Sequence, residues 1–318
     1  LSTGVLHLSI KHAANSSDFA IGQFRFLVPL LLEHGRFNYI RCSKLVLYSF
    51  FKNLVLLSSL FYYCIYSGFS GTMPIDSLVF GGYNFYLGVP IIILGAFDFD
   101  VPRMSVYKFP YLAYATGRNG ELLNMATMGR YCVLAFLEGM ILFAVIIRFI
   151  GGTVRPKPTA NDEKMDIAGI GLNNSDGEGG GIYVDGFLLF SCVVMAMQTK
   201  VIFMGYTANW ISWVCWTLSI LGFYFFNLVY GQIPDLDWYH VTEFSIALQD
   251  YWLAIIIVVV IITEMDYVVE CFFSILYPTS RDILVMQLES NERHQSAPHQ
   301  PVEESLTYSG DWIAKDKE

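Results

Sequence analysis

The sequence predicts an all-α, polytopic membrane protein with six transmembrane helices. Three observations predict it. Six stretches are mainly apolar over the roughly 20 residues that a helix needs to cross a hydrocarbon core of about 30 Å. Of the 318 residues, 54% are hydrophobic and only 15% charged, against about 25% charged in an ordinary soluble domain. Lysines and arginines also concentrate on alternate loops, the pattern that sets orientation in a bilayer. Aromatic residues at 16% fit ring-rich membrane interfaces. A net charge of −9 without a basic patch argues against nucleic acid as a partner.

The first helix is read over about 45–68 and the second over about 78–97. In the second, Gly81, Gly82, Gly88 and Pro90 weaken the helical pattern. Pro90 also frees the carbonyl four residues earlier, that of Tyr86. Such a break either lines a cavity or is buried in protein. Alternatively, the glycines only permit close helix packing. The third helix is read over about 129–150, the fourth over about 184–204 and the fifth over about 208–230. Trp210, Trp213 and Trp216 at the start of the fifth suit an interfacial belt. The sixth is read over about 251–268. After it, 267–277 reads as a separate amphipathic helix at the inner interface, ended by Pro278. The chain thus divides into a stalk, 1–42, a six-helix transmembrane domain, 43–277, and a tail, 278–318, disordered from about 290.

Basic residues decide the orientation. Lys11, Arg25, Arg36, Arg41 and Lys44 precede the first helix, and Arg103, Lys108, Arg118 and Arg130 follow the second. Lys200 ends the fourth, and Arg281, Arg293, Lys315 and Lys317 follow the sixth. Only Arg148, Arg155, Lys157 and Lys164 fall on the other side. Both termini are therefore expected in the cytosol. The loop 151–183, rich in Gly and Asp, is expected outside, with a glycosylation sequon at Asn173. The first residues lack a signal-peptide pattern. The six cysteines form no CxxC pair and fall mostly in apolar runs, so neither a disulfide nor a metal site is expected.

Lys52 is the residue that most needs explaining, because a lysine at membrane depth costs roughly 3 kcal/mol. Its side chain either snorkels to the inner interface, about 11 Å away at 1.5 Å per residue, or serves a polar function. Asn53 beside it, and a stripe of Tyr48, Lys52, Ser59, Tyr63 and Tyr66 at helical spacing, favour function. The second helix brings Tyr83 and Asn84. Glu138 in the third is a functional candidate by default, or else is protonated or paired with a Ser or Tyr on a neighbour, whereas Glu264, Asp266 and Glu270 read as solvated. No GxxxxGK(S/T) loop, no Asp-Lys-Thr-Gly sequence and no hydrolytic Ser-His-Asp group is present. There is no catalytic residue to name, and the chain by itself is not expected to hydrolyse ATP.

Residues 14–41, ANSSDFAIGQFRFLVPLLLEHGRFNYIR, resemble the end of the phosphorylation domain and the stalk of type-four P-type ATPases, the phospholipid flippases. The resemblance continues in order through Tyr48, Phe51–Lys52–Asn53, Gly68–Phe69–Ser70–Gly71, Asp76, Tyr83–Asn84, Phe97–Asp98–Phe99–Asp100–Val101 and Pro110–Tyr111–Leu112. It covers about 13–280 and implies the last six of ten membrane helices, with 1–42 including a remnant of the phosphorylation domain. It implies an ATP-driven translocase moving phospholipid from the outer or lumenal leaflet to the cytosolic one, in plasma, Golgi or endosomal membranes. The lipid pathway would use Lys52, Asn53, Tyr83 and Asn84. ATP and Mg2+ would act in the full-length parent, through the N-terminal half of the same protein, and a small glycosylated accessory subunit would be the partner. Two departures stand out. Residues 1–12 lack the family's Gly-rich run, and Asn84 to Pro90 reads NFYLGVP, without the Phe-Thr that usually precedes the proline. A truncated, non-catalytic membrane protein, or a secondary transporter or channel, is the alternative reading.

Overall fold

The computed structural model describes residues 21, 23–152, 181–207, 209–234, 236 and 238–296. It is helical throughout, without a strand among the described residues. Six of its helices are long and apolar enough to cross a membrane.

Helix α1 spans Arg36–Tyr66 and is entered through short turns over 24–35. Pro29 lacks an N–H to donate, and the turn after it widens into a π-helix, Leu30–Gly35. Far from starting near 45, α1 therefore runs nine residues deeper, through Arg36, Arg41 and Lys44. It ends where Gly68 and Phe69 adopt positive φ and the Phe69 N–H bonds back to the Cys64 carbonyl at 2.8 Å. The second span is two helices, α2 (Ser77–Gly81) and α3 (Tyr83–Phe97). Asp76 caps α2 by accepting the Leu78 N–H at 2.8 Å. The break at Gly82 leaves no room for a side chain, since a Cβ there would lie 2.8 Å from the Tyr86 ring. Two short helices, α4 (Arg103–Lys108) and α5 (Pro110–Arg118), lead to α6 (Met125–Gly152). The remaining elements are α7 (Gly181–Met204), α8 (Trp210–Tyr230), α9 (Val241–Ala247), α10 (Gln249–Leu276) and α11 (Ser280–Ser296).

Helix α7 is the axis of the bundle. It is apolar all round, and such a helix is stable only when surrounded. Of its most apolar stretch 72% is buried, against 17% for α8. Phe187 of α7 stacks between Phe223 and Tyr251, with Trp238 edge-on at 5.8 Å. Small residues set the closest approaches. At Gly186 a Cβ would lie 1.6 Å from the Pro74 carbonyl oxygen, so the loop before α2 lies on α7 backbone to backbone. At Gly139 a Cβ would meet Ser58 Oγ at 1.9 Å, which draws α6 onto α1. Trp210 and Trp213 are exposed at the start of α8, while Trp216 turns inward to donate to the Gln198 carbonyl at 3.0 Å.

Two expectations for the C-terminal part are corrected. Residues 267–276 do not form a separate helix. YVVECFFSIL holds no Gly or Pro, so the hydrogen-bond ladder of α10 continues to Leu276. The tail, expected to be disordered from about 290, is helical to Ser296, and the turn before that helix is closed by Asp282, which accepts the N–H and hydroxyl of Thr279 at 3.0 and 2.9 Å. Helix α11 then buries Leu284 among Phe37, Val101, Val106 and Ala113. The loop sequon at Asn173, residues 1–20 and 297–318 lie outside the described residues.

Candidate functional site

At one end of the bundle, the segment after α3 is tied down by charge. Asp98 accepts the Lys44 ammonium at 2.6 Å and the Tyr206 and Thr207 N–H groups at 2.8 and 2.9 Å. Asp100 receives the Arg36 guanidinium through both oxygens, at 2.8 and 2.5 Å, with both side chains out of water. Arg281 of α11 lies over the Tyr206 ring at 3.7 Å and 3.8 Å from Asp100. Burial pushes the Tyr206 phenol up to about 12. Below this clasp α1 and α3 run side by side.

Lys52 is 5% exposed. Its Nζ donates to Asn84 Oδ1 at 2.6 Å, and the Tyr83 hydroxyl donates to the Lys52 carbonyl at 2.7 Å. The direction of the side chain separates the two readings of this lysine. From the Lys44–Asp98 contact, Lys52 is about 12 Å along α1 but Asn84 about 21 Å along α3, at 1.5 Å per residue. The ammonium therefore reaches away from the Arg36 end, opposite to the direction of snorkelling. Asn84 is exposed, and its Nδ2 donors have no partner among the described residues. An ammonium held by an amide oxygen, beside two free amide donors, is a place for an oxyanion.

Three of the four expected residues thus come together, and the fourth does not. Asn53 is exposed and makes no hydrogen bond among the described residues. Adjacent residues point about 100° apart on a helix, so Lys52 facing α3 turns Asn53 away. The polar stripe is also shorter than expected. The hydroxyls of Tyr48 and Ser59 are spent on the Met197 and Val55 carbonyls, and Tyr66 is exposed.

The break at Pro90 is buried in protein. The Tyr86 carbonyl accepts Gln198 Nε2 of α7 at 2.9 Å, and Ser219 Oγ of α8 donates to it as well. Gly81 and Gly88 do not serve close packing, because a Cβ at either would meet nothing within 4 Å.

A buried ion group was not legible in the sequence. Glu138 of α6 accepts the Lys200 ammonium at 2.8 Å, and Asp266 of α10 accepts it at 2.6 Å. Asp266 is therefore ion-paired, which corrects its reading as a solvated acid, and Lys200 is a buried cation more than an end marker. The available signal was a charge balance: two acids and one base interrupting otherwise apolar runs. Among the described residues no cluster of His, Cys, Asp and Glu is arranged to hold a metal ion.

Residues 14–279 match the family model described as phospholipid-translocating P-type ATPase C-terminal. Among curated proteins, the chain is 29% identical over 281 residues to phospholipid-transporting ATPase dnf1 of Schizosaccharomyces pombe, covering 86% of this chain and 16% of that protein. It is 27% identical over 281 residues to phospholipid-transporting ATPase tat-1 of Caenorhabditis elegans, covering 86% of this chain and 23% of that protein. It is 27% identical over 265 residues to phospholipid-transporting ATPase 10 of Arabidopsis thaliana, covering 82% and 20%. The chain spans about a fifth of the length of these relatives.

Proposed function

The chain belongs to the phospholipid-translocating P-type ATPases, as a C-terminal membrane domain of that family, and from this premise we propose that it supplies half of a phospholipid pathway. The observation that carries the reading is the Lys52–Asn84 pair at the α1–α3 seam. The phosphodiester oxygens of a headgroup would take the ammonium of Lys52 and the free amide donors of Asn84. A fixed positive charge there attracts a phosphate and repels a metal cation, as opposite and like charges do most strongly away from water. Tyr83 braces the lysine by its backbone.

Transport in this reading runs from the outer or lumenal leaflet to the cytosolic one and is driven by ATP hydrolysis. The sequence holds neither a GxxxxGK(S/T) loop nor an Asp-Lys-Thr-Gly sequence, so in this reading ATP and Mg2+ act through domains outside it. A small glycosylated accessory subunit is the proposed partner, and plasma, Golgi or endosomal membranes the proposed location of this integral membrane protein.

Reconstituted in vesicles, the full-length transporter containing this domain is expected to move labelled phospholipid between leaflets when ATP is added. The purified chain alone is expected to show no vanadate-sensitive ATP hydrolysis. Hydrolysis by the chain alone, or the absence of lipid movement, overturns the reading. Both termini are proposed to lie in the cytosol, on the alternation of basic residues. A cysteine introduced within 238–248 is then expected to react with an impermeant reagent added to intact cells, and one within 105–118 to be protected. The reverse pattern refutes the orientation.

A further inference from the structure

Next to Lys52 on α1 is Phe51, whose ring is 1% exposed. Tyr131 of α6 packs edge-on against that ring at 5.7 Å. Lys200 of α7 places its Nζ 3.7 Å from the ring centre. An ammonium over an aromatic face is attracted by the ring quadrupole, most strongly when water is excluded. The same ammonium is gripped by Glu138 and Asp266. Helices α1, α6, α7 and α10 therefore meet at one nitrogen.

Two acids hold a single base here. One carboxylate would neutralise Lys200, but two, on different helices, fix its position from two directions and hold it against Phe51. The α1 backbone is then braced twice at adjacent residues, at Phe51 through its ring and at Lys52 through the Tyr83 hydroxyl on its carbonyl. We infer that Lys200 is a positioning residue for the headgroup site, seating Phe51 and so directing Lys52 toward Asn84 without touching lipid itself. This rests on the reading of Lys52 given above.

The test titrates lipid-stimulated ATPase activity of the reconstituted full-length transporter with short-chain phosphatidylserine, phosphatidylethanolamine and phosphatidylcholine in turn. Phe51→Leu, Lys200→Met, Lys200→Arg and Lys52→Met are compared, together with the Phe51→Leu/Lys52→Met and Lys200→Met/Lys52→Met doubles. Misplacing a binding group by a fraction of an ångström is expected to raise half-saturation about three- to tenfold in Phe51→Leu and Lys200→Met. The maximal rate and the phosphoenzyme formed from ATP should stay within about twofold, since the chemistry is remote. Lys200→Arg, which keeps the charge, should shift half-saturation less than Lys200→Met. In the Lys52→Met background neither change should add, because both act through that lysine. Full additivity, or no shift in half-saturation, overturns the inference while the headgroup reading stands. If Lys52→Met itself leaves half-saturation unchanged, both fall. Should Lys200→Met fail to assemble, Phe51→Leu decides alone, because it leaves both contacts of Lys200 with Glu138 and Asp266 in place.

Discussion

Lys52→Met in the full-length transporter is expected to raise the lipid concentration for half-maximal ATPase stimulation about tenfold or more. The estimate follows from a charge-assisted contact of about 1.5–3 kcal/mol lost from the lipid-bound state. Expression and assembly should be spared, because the substitution removes a charge from an apolar bundle and keeps the stem of the side chain. The structure adds a check on the cause. Lys52 meets Asn84 through Oδ1, so Asn84→Ala should also weaken lipid stimulation, by less, since the ammonium remains. Lys52→Arg should recover only part of the loss, because a planar guanidinium cannot replace a compact ammonium against one amide oxygen. An unchanged half-saturation and maximum in Lys52→Met would remove the headgroup role.

Asp100→Ala should be the most damaging single change at the Arg36 end of the bundle. Asp100 accepts from Arg36 at 2.5 Å and lies 3.8 Å from the Arg281 guanidinium, within ion-pair range, and its side chain is fully buried. Removing it strands a buried guanidinium, which costs about 3–5 kcal/mol. The loss should appear first where α11 docks, because Leu284, Val285 and Leu288 rest against Phe37 and Val101, beside that pair. Hydrogen exchange of α11 in the purified chain should accelerate markedly in Asp100→Ala, while α7 stays protected. Equal protection of α11 in both proteins would show that the pair contributes nothing to its docking.

The number and order of the spans were legible because apolar run length is a local property. Helix starts were less so. α1 begins at Arg36 and not near 45, because ion pairs with Asp98 and Asp100 compensate the charges of its first turns, and those partners lie in another part of the chain. Lys52, Tyr83 and Asn84 were singled out from polarity at membrane depth and from resemblance, and the structure places them side by side. Asn53 was included as a neighbour in sequence, which on a helix is a neighbour facing elsewhere. Glu138, Lys200 and Asp266 were each visible, yet their union was not, since 62 and 66 residues separate the partners. A single sequence gives each charge a cost and leaves its partner open.

The carbonyl freed by Pro90 carries a consequence for motion. A proline in a membrane helix is commonly a point of flexure, because the missing bond leaves the two halves free to swing. Here Gln198 and Ser219 hold the Tyr86 oxygen from two other helices. The freed carbonyl is thus taken up, and α3 is tied to α7 and α8 at that turn. Any movement of α3 past Lys52 is then expected to carry α7 and α8 with it.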